Sequence, residues 1–308
     1  MRFFMKAKSP VHKIKPPHKQ QPNKKYALSN PDKILYPEQK ITKLDLANYY
    51  KQVQTWILPY ITNRFLTIVR CPEGVQKDCF YQRHLNESNI ANIYSLHQTT
   101  KTEKYLYIKD KLGLMALVQL GVLEIHPWGC RIDSIEKPDL IIFDLDPGPE
   151  VGWRKVIEAA FFVKENLAQL NLTSFVKTTG GKGLHILIPI KRQYSWNKVK
   201  IFAHSFVKYL EMLKPSLYTS NMNKSKRKGK IFIDYLRNQR SATAIAPYST
   251  RAKKNASLAI PLGWDELSVK IKSDTFTVKT LSKRLTRLKQ DPWIDFFSLK
   301  QILRLPEV

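Results

Sequence analysis

The stretch Leu140-Ile141-Ile142-Phe143-Asp144-Leu145-Asp146-Pro147-Gly148 constrains the fold of this chain more than any other. An apolar run leads into a carboxylate, an apolar residue and a second carboxylate, and Pro-Gly closes it. This pattern reads as a buried β-strand that ends at a turn. Side chains alternate along a strand, so Asp144 and Asp146 share one face while Phe143 and Leu145 pack from the other. Two carboxylates about 7 Å apart at a strand end repel each other. A divalent cation is the usual remedy, because hard cations take oxygen ligands, often one or two carboxylates together with substrate phosphates. The plain alternative is two solvated acids at a strand end.

Charge narrows the partner. The 308 residues hold 52 Lys+Arg against 25 Asp+Glu, a net charge of +27. Eight of the cations fall within residues 1–25, which carry no acid, so the remainder keeps a surplus of 19. An excess of that size fits a polyanion, most simply nucleic acid. Residues 1–24, with four prolines, read as a disordered basic tail, and 25–308 as one catalytic unit. Cys71, Cys79 and Cys130 form no CxxC, which argues against a disulfide framework and suits a reducing cytosol. No apolar run approaches the roughly 20 residues of a membrane span, and no signal-peptide core follows Arg2.

Along the chain, Thr42 opens a helix with Asp45 at the capping-box position, and Leu46, Tyr49, Tyr50, Val53, Trp56 and Ile57 form its buried stripe. Lys33 and Lys43 flank that helix start, where free amides and the dipole favour an anion. Residues 65–70 and 80–84 read as strands. One of the adjacent aromatics Phe80 and Tyr81 should be core, and the other could stack on a base. Residues 112–120, 153–170 and 196–213 read as helices, and 124–128, 174–179, 184–188, 231–236 and 243–248 as strands. Leu281, Leu285 and Leu288 mark a C-terminal helix with a basic outer face. Between two of the strands, Gly180-Gly181-Lys182-Gly183 would let backbone amides approach an anion, with Lys182 adding a point charge. It is not a Walker A loop, since Gly183 follows Lys182 and strands flank it on both sides. Asp234 is a lone acid in an apolar strand. It needs either a metal shared with Asp144 and Asp146 or a salt bridge to Arg237 or Arg240.

Taken together, Asp144-Leu145-Asp146-Pro147-Gly148, Lys177-Thr178-Thr179-Gly180-Gly181-Lys182-Gly183-Leu184-His185, Ile231-Phe232-Ile233-Asp234-Tyr235 and Ala246-Pro247-Tyr248-Ser249 resemble the archaeo-eukaryotic primase superfamily. More closely, they resemble the polymerase domain of bacterial DNA ligase D, over about residues 30–266. The resemblance implies an α/β primase-polymerase fold, two lobes of mostly antiparallel and mixed sheet flanked by helices around one cleft. It implies a monomeric, template-dependent nucleotidyltransferase that adds NTPs or dNTPs to DNA 3′ ends at gaps or breaks with two Mn²⁺ or Mg²⁺ ions. Asp144, Asp146 and Asp234 match its metal ligands. His126, Thr179, Lys182, Arg227 and Arg251 match its nucleotide contacts, Lys33 and Lys43 its DNA 5′-phosphate site, and Phe80 and Tyr81 its stacking aromatics. Thr179 stands where the family usually has Ser, keeping the hydroxyl on a stiffer rotamer. The family acts in non-homologous end joining in the cytoplasm, on the nucleoid, with the Ku protein and a DNA ligase. No ligase region is evident in this sequence. Two other readings stay open, a stand-alone primase and a silent nucleic-acid-binding module, although a silent module gains nothing from repelling acids in a cleft.

Overall fold

The computed structural model describes residues 28–84, 90–97, 104–288 and 290–303; the basic tail expected over 1–24 lies outside them. Among the described residues, thirteen strands and five α-helices follow in chain order. The first part comprises β1 (Ile34–Tyr36), β2 (Ile41–Thr42), α1 (Lys43–Ile61), β3 (Leu66–Arg70), β4 (Phe80–Gln82), β5 (Tyr94–His97), β6 (Lys104–Tyr107), α2 (Lys111–Gln119) and β7 (Val122–Pro127). The second comprises β8 (Leu140–Pro147), α3 (Trp153–Gln169), β9 (Phe175–Thr178), β10 (Leu184–Pro189), α4 (Trp196–Leu213), β11 (Tyr218–Thr219), β12 (Ile231–Asp234), β13 (Pro261–Leu262) and α5 (Leu281–Leu285). No helix among the described residues is long and apolar enough to cross a membrane.

Two sheets carry the architecture. The larger has strand order β11-β12-β8-β10-β9-β13, with β8 paired antiparallel to both β12 and β10. The smaller has order β4-β3-β7, also antiparallel. On β8, Phe143 packs against Phe206 of α4 with ring centroids 5.2 Å apart, while Asp144 lies on the opposite face, as strand alternation requires. One apolar core runs through both lobes, and a second cluster gathers Phe65, Tyr105, Trp128, Cys130 and Trp196. The capping box at α1 forms as expected, with Asp45 accepting from the Thr42 amide at 2.9 Å and Thr42 Oγ1 accepting from the Asp45 amide at 3.1 Å.

Four expectations from sequence are corrected. Cys71 and Cys79 form a disulfide, because the turn at Cys71-Pro72-Glu73-Gly74 brings their Cα atoms within 4.4 Å; eight residues of sequence separation do not show how close the two ends of that turn come. Phe80 and Tyr81 are both exposed, since β4 is a three-residue edge strand. Residues 243–248 form no ladder. Tyr248 has φ 64°, which breaks an extended run, and the segment is bonded to both lobes instead. The Ala246 amide donates to Ile125 O at 2.9 Å, and the Tyr248 amide donates to Ala259 O. The C-terminal helix stops at Leu285, and Arg284 turns inward to Glu266 rather than outward.

Asn238 explains how the sheet ends beside Asp144. The ladder between β12 and β8 stops at the pair Asp234–Asp144. Beyond it, the fully buried Asn238 side chain replaces a strand: Oδ1 accepts from the Ile142 amide and Nδ2 donates to Ile142 O, each at 2.8 Å. The chain can therefore turn away after Asp234 without orphaning β8, and that turn brings Arg237 back over the carboxylates. Asn238→Ala strips both partners from a buried peptide, so it should destabilise the fold by about 2–4 kcal/mol, read from urea unfolding at neutral pH.

Candidate active site

Antiparallel register lines up a row of ionisable groups across the larger sheet. Asp234 sits opposite Asp144, Asp144 opposite His185, and His185 opposite Lys177. Directly paired residues share a face, so all four point the same way, with Asp146 two residues along β8. Arg237 closes the row: its Nη2 lies 3.2 Å from Asp144 Oδ2 and its Nε 3.3 Å from Asp234 Oδ2. The salt bridge expected as the alternative to metal is therefore present. Asp144 Oδ1 nevertheless remains buried with no hydrogen-bond partner.

Burial would raise the pKa of Asp144, but His185, Arg237 and Lys177 outweigh it and hold it at about 2. Burial and Lys177 in turn push His185 down to about 4, so it is neutral at pH 7 and Arg237 is the lasting counter-charge. Burial, then the facing Asp144, push Asp146 up to about 6. Burial also raises Asp234, against the pull of Arg237. Lys177 is fully buried, its Nζ has no hydrogen-bond partner, and burial followed by Arg251 pushes its pKa well below the usual lysine range.

The smaller sheet supplies the facing wall. Thr67 pairs with His126, and Val69 pairs with both Glu124 and Tyr81, so these side chains share one face. Between the two sheets lies a cleft of about 450 Å³, which brings together Asp144, Asp146, His126, Thr179, Lys182 and Arg251 from the sequence-derived set. Tyr81 stands at its rim, with its ring 6.5 Å from that of His126. Asp234 lies in the adjoining depression with Arg83 and Arg240.

Several expected roles change. Thr179 Oγ1 is spent inside the loop, bonding Gly183 O and Ser273 Oγ at 3.1 Å each and accepting from the Gly181 amide at 3.2 Å. The Gly180 amide donates to Ser273 O, so the Gly180 and Gly181 amides are both taken up within the protein. The glycines serve packing instead. Gly180 has φ +65°, and a Cβ on Gly183 would stand 2.2 Å from Leu145 O, so the loop lies tight against the Asp144–Asp146 strand. Positive charge enters the cleft through Lys182, Lys253 and Arg251. Arg227 lies outside it, stacked 3.7 Å over Phe232 and donating to Met222 O. Phe80 lies outside as well, under the Arg70 guanidinium at 5.3 Å.

At the start of α1, the amides of Lys43, Leu44 and Asp45 already bond Lys33 O, Pro31 O and Thr42 Oγ1. No free amide cradle exists there. Lys33 Nζ pairs with Glu73 at 2.5 Å, and Lys43, largely buried, donates to Ser29 O at 3.0 Å.

Sequence reasoning gave no site role to Glu124, Lys177 or His185, and named Arg237 only as a salt-bridge partner for Asp234. Glu124 is the hub of the second wall. It takes His126 Nε2 at 2.8 Å, Arg251 Nε at 2.9 Å and the Ala252 amide at 2.8 Å. Burial would raise its pKa, but these partners hold it at about 2. The i, i+2 spacing of Glu124 and His126 on a strand was the available signal, although Arg251 is distant in sequence. No cluster of three His, Cys, Asp or Glu side chains forms a ready ligand cage among the described residues. The donor set still fits a hard cation: three carboxylates, one with an orphaned oxygen and one held protonated up to about pH 6 by burial and by the adjacent Asp144.

A family model for the LigD primase-polymerase domain matches residues 42–293. The multifunctional non-homologous end joining protein LigD of Pseudomonas aeruginosa is 32% identical over 277 residues, covering 89% of this chain and 33% of that protein. The corresponding protein of Mycolicibacterium smegmatis is 34% identical over 245 residues, covering 78% of this chain and 32% of that protein. The chain thus spans about a third of the length of these relatives. Among solved structures, the polymerase domain of Mycobacterium tuberculosis ligase D in complex with DNA matches with TM-score 0.80 and 31% identity, covering 91% of this chain and all of that one.

The strain at Asp146 is measurable without any ligand. A raised carboxyl pKa means that folding favours the protonated form, so stability is lost as pH rises through about 4 to 6. With metal chelated, Asp146→Asn should stabilise the protein by about 1–2 kcal/mol at pH 7.5, after discounting for solvent screening, and by almost nothing at pH 4. Denaturant melts at the two pH values check this.

Proposed function

The chain belongs to the LigD primase-polymerase domain family, and on that premise we propose that it adds nucleotides to DNA 3′ ends at gaps and breaks under template direction. The observation that carries this reading is the convergence of Asp144, Asp146 and Asp234 with Lys182, Arg251 and His126 around one cleft and its adjoining depression. In the reaction, the 3′ oxygen of the primer bonds to the α-phosphorus of the incoming nucleotide and pyrophosphate leaves. Asp144, Asp146 and Asp234 would hold Mn²⁺ or Mg²⁺, which when bound neutralises phosphate oxygens and lowers the pKa of the attacking hydroxyl. Metal binding requires Arg237 to yield its place between Asp144 and Asp234, and Asp146 to give up its proton below about pH 6.

The remaining roles belong to the chain's own side chains. Lys182, Lys253 and Arg251 line the cleft and offset the negative charge of the triphosphate. With Glu124 ionised, its hydrogen bond to His126 requires the proton on Nε2. His126, kept neutral by burial, then offers Nδ1 as an acceptor toward the sugar. Tyr81, 72% exposed at the rim, and Phe80 beside it are placed to stack on an unpaired base. Lys33 and Lys43 are the candidate contacts for a downstream 5′-phosphate, through their ammonium groups alone and after release of Glu73. The relatives' names place them in non-homologous end joining. For this chain, work on DNA in the cytoplasm alongside Ku and a ligase is the corresponding proposal.

Asp144→Ala, Asp146→Ala and Asp234→Ala should each abolish nucleotide addition to a gapped duplex while leaving DNA affinity within a few-fold; robust extension by any of them would overturn the metal assignment. A second outcome concerns the hub. Glu124→Gln frees both Arg251 and His126, so KM for the nucleotide should rise about 10- to 100-fold with a smaller change in kcat, as expected for charge-assisted bonds of roughly 1.5–3 kcal/mol. Steady-state kinetics at saturating DNA separates the two terms. A third outcome separates end repair from priming: fill-in should be faster on a gap with a 5′-phosphate than on one with a 5′-OH. Lys33→Ala with Lys43→Ala should erase most of that preference. Equal rates on both gaps in the unmutated protein would favour the primase reading.

A further inference from the structure

A second depression, of about 550 Å³, opens at the other end of β8 and β10, lined by Leu140 and by Pro189 and Ile190. Asp146 is six residues along β8, so the two sites lie roughly 20 Å apart on the same strand. Nothing in the nucleotidyl-transfer reading uses this place.

Its walls combine cations with an aromatic edge. Arg64 and Arg131 share a single acid, Asp139. Arg64 grips it through two bonds of 2.6 Å, leaving Arg131 Nε at 3.5 Å. Arg192 is turned toward Asp133, and Lys191 and Lys300 are exposed. Five cations therefore stand against two carboxylates, a surplus of three around one concavity. The floor is apolar, and Phe297 forms its edge, 41% exposed, with one side on Tyr60 at 4.8 Å. Arg131 is pushed below the usual arginine range by burial and by Arg64, which marks the charge there as under-compensated.

We propose that this depression is a second nucleic-acid site, which takes a base against Phe297 and its phosphates on Arg131, Lys191 and Lys300. The chemistry is that of single-strand binding, in which cations follow the backbone and an aromatic ring accepts any base. Simple salt bridging does not explain the arrangement, because Lys191 and Lys300 meet no acid among the described residues. An apolar partner surface does not explain it either, because the rim is positive almost throughout. The shared ligand chemistry is a base joined to phosphate, and the favoured source is an unpaired strand of the DNA substrate. Leu140, which begins the strand that carries the carboxylates, lines the same depression.

The test uses the full chain in EDTA, so that metal-dependent binding in the main cleft is suppressed. The probe is a single-stranded oligothymidylate carrying iododeoxyuridine, crosslinked by ultraviolet light and mapped by peptide sequencing. The expected adduct lies on Phe297. Lys191→Glu with Lys300→Glu should weaken oligomer binding at least tenfold and lower the slope of log affinity against log salt by about two. Lys198→Glu with Lys208→Glu, on the exposed face of α4, is the charge control and should do much less. Phe297→Leu keeps an apolar contact with Tyr60 and should lose the adduct without unfolding. Displacement of the probe by unlabelled oligomer but not by thymidine monophosphate identifies a strand site. Displacement by both at similar phosphate concentration identifies a nucleotide site of the same chemistry. The pocket variants should leave single-nucleotide addition on a short gap within about twofold, so failure of this site and failure of the catalytic assignment are read separately. No adduct on Phe297, whatever forms at Tyr81 in the main cleft, or equal losses in the pocket and control pairs, would overturn the proposal.

Discussion

Electrostatic repulsion among Asp144, Asp146 and Asp234 is the constraint around which this protein is arranged. Antiparallel pairing forces Asp234 and Asp144 onto one face at one level, and strand alternation adds Asp146 beside them. The fold does not relieve this by exposing the acids. It inserts Arg237 between two of them and leaves the third protonated into the mildly acidic range. Arg237 can reach because β12 ends at Asp234, and β12 can end there because Asn238 satisfies Ile142 in place of a strand. One buried amide side chain thus sets the geometry of three charges.

Positive charge behind the row has a complementary cost. Lys177 is buried with no hydrogen-bond partner, and Arg251 lies close enough to depress its pKa further. The cleft's own charges are poorly compensated in both signs, with acids crowded at one end and cations at the other. The metal-bound triphosphate proposed above would bring positive charge to the first and negative charge to the second. Binding energy that relieves existing repulsion on both sides favours the charged ligand over a neutral one of the same shape.

The two lobes are tied by hydrogen bonds that belong to neither sheet. Tyr36 Oη donates to Arg251 O, Tyr49 Oη donates to Tyr248 O, and the Ile125 amide donates to Ser249 Oγ. These fix the irregular segment that carries Arg251 into the cleft, where Glu124 locks it together with His126. Because Glu124 sits on the small sheet and Thr179 on the large one, Arg251 spans the cleft, its Nη1 donating to Thr179 O at 2.8 Å. Changes in the separation of the lobes therefore act directly on Arg251.

By itself, the sequence determined the helices α1, α3 and α4, the strand carrying Asp144 and Asp146, the capping box at Thr42 and the basic character of the whole. All of these are local: they follow from apolar spacing, from side-chain chemistry within a few residues, or from a charge count. It also identified Asp234 as an acid in need of a partner. Only the tertiary structure decided that this partner is Arg237, that Thr179 braces its loop, that Arg227 and Phe80 stand outside the cleft, and that Cys71 meets Cys79. Each of those depends on strand register or on a turn that joins distant segments. A one-residue slip in register would reverse every facing, and no local pattern records which pairing wins. Glu124 shows the limit most clearly. Its spacing from His126 was visible in the sequence, but its bond to Arg251, 127 positions away, exists only once the lobes close on each other.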